Sequence, residues 1–387
     1  LSVQHMVKKN ALVRRLKSIE TLGSITVICS DKTGTLTKNE MTVKRIYTNN
    51  KEIFVSGDGY DINGHFFFNE KPISPEGINR ILDIAMSCNN SSEEVGDPTE
   101  RALYFAAAKG GVTRRERLNE IPFDADKKYM ATTHKIERQE VIYYKGAPEV
   151  IIAACKYIDV DNRQGTLTRE EVTRILQKNQ EMADAALRVL AMAYEVRGKR
   201  YFVGLMGMID PPKEGVKEAL AICKQAGIRS VIITGDHPRT AVAIAKQIGM
   251  NGAAITGAEL NAMTEQQLSE VVETHNIFAR TTSHHKVMIL EALQKRGHIV
   301  AMTGDGINDA PALKRANIGI AMSIKGTDVS RETADMVLAD DNFATIVKAI
   351  EEGRIVYDNI KKFINYLLSA NTAEVGVILL GLLLGLP

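Results

Sequence analysis

The sequence predicts an α/β protein: a doubly wound parallel sheet whose chain is interrupted by a separate α+β insert. Three observations predict it. From residue 213 onward, short apolar runs alternate with helical stretches, the pattern of a parallel sheet covered by helices. A run of the same kind, Ile25-Thr26-Val27-Ile28-Cys29, stands far upstream between Gly23 and Gly34 and reads as a buried strand of that sheet. Between the two, residues 45–75 alternate polar and apolar around turn residues such as Ser56-Gly57-Asp58-Gly59 and Asn63-Gly64, the mark of short antiparallel strands.

Taken in order, residues 1–20 are basic and amphipathic through Met6–Leu16 and predict a helix that ends before the first strand. In the insert, 77–89 and 98–109 read as helices, Val141-Ile142-Tyr143-Tyr144 as a strand and 169–193 as one long helix. The insert closes at Met208-Ile209-Asp210-Pro211-Pro212. Two prolines fix φ there, which suits a stiff hinge or a helix start. Beyond it come helix 213–226, strand 229–233, helix 238–249, strand 277–280, helix 284–296, strand 298–302, helix 308–315, strand 318–321, helix 327–334, strand 336–338 and helix 343–352. Phe363–Pro387 carries one ionisable group, Glu374, behind Lys361 and Lys362. That length and flank suit a membrane helix entered from the cytoplasmic side, and a buried soluble helix is the alternative.

Composition bounds the function. The 387 residues are 44% hydrophobic and 25% charged, with a net charge of +2. That is globular, with room for about two or three domains, and lacks the basic excess of a nucleic-acid binder. Cys29, Cys88, Cys155 and Cys223 are far apart with no C-x-x-C, so neither a zinc site nor a disulfide framework is expected and a reducing compartment fits. The chain opens on Leu1 and closes on an apolar Gly-Leu-Leu-Leu-Gly-Leu-Pro, as a piece of a longer protein would.

The chemistry gathers at strand ends. Asp31 follows the first strand, where open α/β sheets hold their ligands. A carboxylate there can form a covalent aspartyl phosphate. Lys32, Thr33, Gly34 and Thr35 supply a cation, hydroxyls and a glycine amide for a phosphate. Thr234-Gly235-Asp236, Lys286 and Thr303-Gly304-Asp305-Gly306-Ile307-Asn308-Asp309 follow three further strands. They offer a phosphoryl grip, a neutralising ammonium and hard oxygen ligands for magnesium. Singly, each is equally a capped helix start; four such ends together point to one site.

Asp31-Lys32-Thr33-Gly34-Thr35-Leu36-Thr37, Thr234-Gly235-Asp236 and the run from Thr303 to Met322 resemble the phosphorylation domain of the P-type cation ATPases. That domain belongs to the haloacid-dehalogenase-like superfamily and is Rossmann-like. The resemblance implies that Asp31 is phosphorylated from ATP. It implies that Asp31, the Thr33 carbonyl and Asp305 hold magnesium, that Lys32 and Asp236 belong to the catalytic and ATP-handling set, that Thr234, Gly235 and Lys286 bind the phosphoryl group, and that Asn308 and Asp309 support the site. The proline usual ahead of the lysine is missing from Ala279-Arg280-Thr281-Thr282-Ser283-His284-His285-Lys286, which alters the expected turn. Phosphatases of the superfamily carry a second aspartate two residues after the nucleophile; Thr33 stands there, so no local base activates water and the phosphoenzyme should persist.

In the insert, Lys145-Gly146-Ala147-Pro148-Glu149, Gly96-Asp97-Pro98-Thr99-Glu100, Phe123–Lys128 and Arg188-Val189-Leu190-Ala191 resemble the family's nucleotide-binding domain. The likeness implies that Phe123 stacks on adenine, that Glu100 accepts from its amino group, and that Lys128, Lys145 with Gly146, and Arg188 serve the phosphates. There is no Walker P-loop. In the tail, Asn371 and Glu374 lie three apart on one helix face. An acid in a membrane span is costly and functional, and Ser369–Glu374 resembles the fifth membrane helix of calcium and sodium pumps. With Met336–Phe343, the likeness is closest to the calcium pumps. A sodium or other monovalent-cation pump is the alternative within the family.

The expected division is 1–40 and 211–358 for the phosphorylation domain, 41–210 for the nucleotide-binding domain, and 359–387 for a stalk and the start of a membrane helix. The family reading implies ATP and magnesium, a transported cation, and an actuator domain and further membrane helices as partners. It places this part of a multi-pass membrane protein on the cytoplasmic face. No Thr-Gly-Glu of an actuator occurs in the chain. A soluble phosphohydrolase of the superfamily is the rival that Thr33 and the apolar tail oppose. A Rossmann dehydrogenase fails because Asp309 stands where the third glycine of Gly304-x-Gly306 should be.

Overall fold

The structure, a computed structural model, describes residues 2–15 and 17–384. Leu1, Leu16 and 385–387, which belong to the predicted first helix and the predicted apolar span, lie outside the described residues. The chain forms two compact units, one of 1–36 with 213–387 and one of 37–212.

The first unit begins with α1 (Ser2–Lys8), β1 (Ala11–Val13), α2 (Lys17–Gly23) and β2 (Val27–Ser30). The single helix expected over 1–20 is therefore broken. Asn10 adopts a left-handed φ of 64°, which reverses the chain, and β1 then pairs antiparallel with the last strand of the unit. Amphipathic spacing concealed that turn, because Asn tolerates positive φ at little cost.

The second unit holds β3 (Thr42–Thr48), β4 (Lys51–Val55), β5 (Phe66–Phe68), β6 (Lys71–Ile73), α3 (Asn79–Ser87), α4 (Pro98–Lys109), β7 (Arg117–Asp124), β8 (Tyr129–Ile136), β9 (Gln139–Gly146), α5 (Pro148–Ala154), β10 (Tyr157–Val160), β11 (Arg163–Thr166), α6 (Arg169–Asp184), β12 (Arg188–Val196) and β13 (Lys199–Ile209). Its sheet runs β6-β5-β4-β3-β13-β12-β9-β8-β7, with β10 and β11 attached beside β13. All of its pairs are antiparallel except β10 with β13. The helix expected over 169–193 stops at Asp184, and Arg188 opens a strand. Leu190, Ala191 and Met192 are good helix formers, but hydrogen bonding to β9 on one side and β13 on the other outweighs that local preference.

Returning to the first unit, the chain makes α7 (Val216–Gln225), β14 (Arg229–Ile233), α8 (Pro238–Gln247), β15 (Ala254–Thr256), α9 (Gly257–Ala262), α10 (Glu265–Thr274), β16 (Ile277–Ala279), α11 (Ser283–Lys295), β17 (Val300–Gly304), a short helical turn at Ile307–Asp309, α12 (Ala310–Arg315), β18 (Ile318–Met322), α13 (Asp328–Thr333), β19 (Met336–Leu338) and α14 (Phe343–Leu383). The sheet order is β1-β19-β18-β17-β2-β14-β16-β15, parallel throughout except at β1. β2 lies at its centre, between β17 and β14, and both of its faces are buried. Val27 and Cys29 enter one apolar cluster with Val231 and Ile233, while Ile28 joins Ile232 in the other. The two-residue strand period thus feeds two helix layers at once.

The helices expected separately over 343–352 and from 363 are one helix, α14, started by Asn342, whose side chain accepts from the Ala344 amide. Phe343, Ile346, Ala349 and Ile350 pack into the core. From Tyr357 onward the large apolar side chains are exposed, Phe363 by 61% and Leu368 by 60%. The stretch Phe343–Leu380 is long and apolar enough to cross a membrane. Where α2 meets α14, the backbones touch. A Cβ on Gly23 would fall 2.7 Å from the Gly353 oxygen, and one on Gly353 would fall 2.8 Å from the Gly23 nitrogen. Gly353→Val should therefore destabilise the unit by about 1–3 kcal/mol, the usual cost of overpacking; denaturant unfolding of the variant against the wild type measures it.

Candidate active site

The first unit's catalytic candidates converge at the carboxyl ends of β2, β14 and β17 and at the start of α11. β2 ends at Ser30, whose hydroxyl meets that of Thr303 at 2.8 Å, and the Asp31 amide donates to the Thr303 carbonyl. The chain then turns sharply. Thr33 is extended and Gly34 is left-handed, at φ 72°. Any side chain on Gly34 would collide with Asp305, since its Cβ would lie 2.1 Å from that carboxylate. Glycine there is what lets the loop after β2 and the loop after β17 approach one another.

One cation joins the cluster. Lys286 Nζ lies 2.5 Å from Asp31 Oδ2 and 2.5 Å from Asp309 Oδ1, and its side chain is buried. The other oxygen of Asp309 accepts from the Asp305 and Gly306 amides at 3.2 and 3.0 Å, so it shapes the loop as well as holding the lysine. Lys32 pairs with Asp236 at 2.6 Å. Thr234 is buried, and its hydroxyl oxygen accepts from the Asp236 amide. Asn308 is exposed, and among the described residues its side chain takes part in none of these hydrogen bonds.

The charges do not balance. Asp31 and Asp309 share the Lys286 ammonium, and Asp305 adds a third carboxylate that feels the charge of both. Burial, followed by the charges of Asp31 and Asp309, pushes the Asp305 carboxyl up to about 6. Burial raises Asp31 too, with Lys286 opposing. For Lys286 burial works downward, but the charges of Asp31 and Asp309 outweigh it and hold the ammonium above its ordinary value. A divalent cation relieves such an excess, and two carboxylates with a main-chain carbonyl suit magnesium. No group of three or more His, Cys, Asp or Glu side chains able to hold a metal occurs among the described residues, so the Thr33 carbonyl and bound oxygens of a ligand would complete the set. The hydroxyls of Thr35 and Thr281 are buried without a partner, and a bound ion or water supplies the missing bond at such positions.

Two residues escaped the sequence reading. Lys213 Nζ donates to the Gly34 carbonyl and, at 2.7 Å, to the Asp341 carbonyl, so it pins the loop after Asp31. Asp341 is buried and accepts from the amides of Ser323, Ile324 and Lys325 at 2.6, 3.0 and 2.8 Å, which shapes the loop after β18. Lys213 directly follows the Pro211-Pro212 pair, a signal of a fixed crossing; Asp341 offered no comparable signal.

In the second unit, strand register aligns the nucleotide candidates. Asp124 faces Tyr129, Tyr129 faces Gly146, and Gly146 faces Ala191. Phe123, Lys128, Lys145 and Arg188 therefore lie within three residues of one row across β7, β8, β9 and β12. A Cβ on Gly146 would fall 2.5 Å from the Lys128 carbonyl, so glycine permits this close pairing. Phe123 is 63% exposed, which suits a stacking surface and not a core residue. Arg188 is exposed, and Lys128 pairs loosely with Glu149 at 3.4 Å. Lys145, by contrast, is buried and bonds Glu100 at 2.5 Å, while Glu100 also accepts from the Asn90 amide at 3.0 Å. Each expected ligand group here is engaged with the other. Asn371 and Glu374 are exposed on α14. All four cysteines are free and buried.

Comparison with known proteins adds to this geometry. Residues 78–215 match the family model of the P-type ATPase cytoplasmic domain N, and 167–314 match that of haloacid dehalogenase-like hydrolases. The chain is 42% identical over 420 aligned positions to the calcium-transporting ATPase of Bacillus subtilis (strain 168), covering all of this chain and 47% of that protein. It is 42% identical to the cation-transporting ATPase pma1 of Synechocystis, covering 100% and 47%. It is also 42% identical to the calcium-transporting ATPase type 2C member 1 of Homo sapiens, covering 100% and 44%. The chain spans about half the length of the curated relatives it matches.

The raised Asp305 carboxyl fixes a sign for pH dependence. It keeps a proton in the folded protein that the unfolded chain releases, so its contribution to stability is present at low pH and is lost as pH rises through about 6. Asp305→Asn should remove that loss. At neutral pH, magnesium should raise the melting temperature of the wild type and leave that of Asp305→Asn unmoved; scanning calorimetry across pH, with and without magnesium, checks both.

Proposed function

The chain belongs to the P-type ATPase family, and on that premise we propose that it is the catalytic part of an ATP-driven cation pump working through an aspartyl phosphate at Asp31. The observation that carries the reading is the shared ammonium of Lys286, which fixes Asp31 beside the Asp309 carboxylate. The second unit supplies the nucleotide: Phe123 stacks on the base, while Lys128 and Arg188 attract phosphate. Glu100 and Lys145, paired in this structure, reach the nucleotide after exchanging that contact for it.

The chemistry follows from the residues. An Asp31 carboxylate oxygen attacks the γ-phosphorus, the bond to the β-phosphate bridging oxygen breaks, and ADP leaves with that electron pair. Lys286 stands against the nucleophile and neutralises charge on the transferring group. Thr234 and the Gly235 amide hold its oxygens. Magnesium, when bound by Asp31, Asp305 and the Thr33 carbonyl, supplies electrostatic stabilisation of the phosphoryl oxygens. Thr33 cannot act as a base, so water is not activated beside the phosphoenzyme. A soluble phosphohydrolase would need that base.

Calcium is the favoured cargo, because relatives at 42% identity are named calcium-transporting ATPases. Another cation is the second reading, favoured by the relative named only as a cation-transporting ATPase. Asn371 and Glu374 are the candidate cargo ligands, on a helix able to span a membrane. In the intact protein, an actuator domain and further membrane helices are the partners, and both units face the cytoplasm.

Incubated with γ-labelled ATP and magnesium, the wild type should take acid-stable, hydroxylamine-sensitive label, and Asp31→Asn none. Label surviving in Asp31→Asn would sink the assignment. Phe123→Ala should weaken ATP binding about tenfold, the scale of one lost base stack, as read by calorimetric titration. Sustained phosphate release by this chain should stay below about 1 per second, the lower end of typical turnover, in a steady-state assay.

A further inference from the structure

Ahead of Lys286 the expected proline is absent, and the structure shows what starts the helix in its place. Thr282 caps α11: its hydroxyl oxygen accepts from the His285 amide at 3.5 Å. In return His285 Nδ1 accepts from the Thr282 amide at 3.0 Å and lies 3.1 Å from the Thr282 hydroxyl. Capping boxes usually close with Glu or Gln at this position; here an imidazole does it. A ring nitrogen that accepts from an amide carries no proton, so the proton is on Nε2, which donates to Asn261 Oδ1 on α9 at 2.9 Å. Both ring nitrogens are thereby assigned and the ring is neutral.

The seat is built for this ring. His285 is 5% exposed. A Cβ on Gly257, which opens α9, would fall 2.7 Å from His285 Cε1 and 2.8 Å from Nδ1, so only glycine leaves room. The charged groups on the surrounding elements are His284 and Lys286 on α11, Arg280 and Asp236 on the adjoining loops, and Glu259 on α9. Glu259 is committed to the Thr256 amide and hydroxyl, and Asp236 to Lys32. Among the described residues none of them hydrogen-bonds the ring. Burial, with His284 adding to it, holds His285 below its ordinary value.

Lys286 is the next residue. We propose that His285 is a positioning residue for Lys286: its neutral ring, closing the start of α11 on Thr282 and Asn261, fixes where the ammonium stands against Asp31 and Asp309, and protonating the ring withdraws it. The proposal deepens the reading of Asp31 as nucleophile and rests on it for its effect on phosphorylation.

Two substitutions of this chain test it. His285→Gln keeps an acceptor for the Thr282 amide and cannot be protonated; His285→Ala keeps neither property. Near neutral pH, His285→Ala should form phosphoenzyme about fivefold more slowly, the scale of one lost helix cap, and His285→Gln should stay within about twofold of the wild type. On the acid side, the wild type should lose phosphorylation at higher pH than His285→Gln, which keeps only the carboxylate titrations. Calorimetric ATP titration should be unchanged in both, and scanning calorimetry should show the first unit, which carries the ring, still unfolding cooperatively in both variants. Two spectroscopic readouts do not depend on catalysis. Long-range proton–nitrogen spectra should show His285 neutral with its proton on Nε2, and the Lys286 ammonium resonance should persist in the wild type and in His285→Gln but broaden or shift in His285→Ala. An unmoved Lys286 resonance in His285→Ala, or a proton on Nδ1, overturns the proposal. A wild type that binds ATP and takes no label, while the resonances behave as stated, overturns the nucleophile assignment and leaves the positioning role standing.

Discussion

One buried ammonium holds the phosphorylation site together. Lys286 reaches Asp31 and Asp309 from the first turn of α11, and Asp309 in turn binds the amides of its own loop. A lysine this buried is stable only because carboxylates compensate its lost hydration. Those carboxylates outnumber it, and that imbalance is the site's chemical content: it keeps Asp305 partly protonated near pH 6 and gives a divalent cation a reason to bind. Asp31 is thus held in place by a buried positive charge.

The sheet explains why these groups can meet. β2 occupies the middle of a parallel sheet, flanked by β17 and β14, so the loops after three neighbouring strands open at one edge. The loop carrying Asp31 makes its turn only because Gly34 has no Cβ where Asp305 approaches, and Lys213 pins it from the returning chain. An interruption of 176 residues between Leu36 and Lys213 leaves this arrangement intact, because the sheet's hydrogen bonds do not depend on the order in which its strands are made.

The insert uses a different logic. Its antiparallel sheet aligns Phe123, Lys128, Lys145 and Arg188 by register, and α5 starts directly after Gly146 and Ala147. Phe123, Lys128 and Arg188 leave an aromatic face and two cations exposed along that row. The Glu100–Lys145 pair joins a half-buried carboxylate to a buried ammonium.

The sequence by itself determined the class of fold and the interruption, and it named the candidate site residues, because each rests on local order. Apolar runs of strand length mark a parallel sheet, Asp31, Thr234 and Asp305 each follow one directly, and Lys286 stands in the helix that comes after another. It misjudged three places where a distant partner decides the conformation. Residues 1–20 break at Asn10 because β1 has β19 to pair with. Residues 188–193 leave the helix because β9 and β13 claim them. The tail is continuous with the helix at Phe343 because no residue between them stops it. Only the tertiary structure decided that Lys286 is shared by two carboxylates, that Lys145 is engaged by Glu100, and that a histidine ring replaces the expected proline at the start of α11. Each of these depends on groups far apart in the chain, and on which of several possible partners the packed interior brings within hydrogen-bond reach.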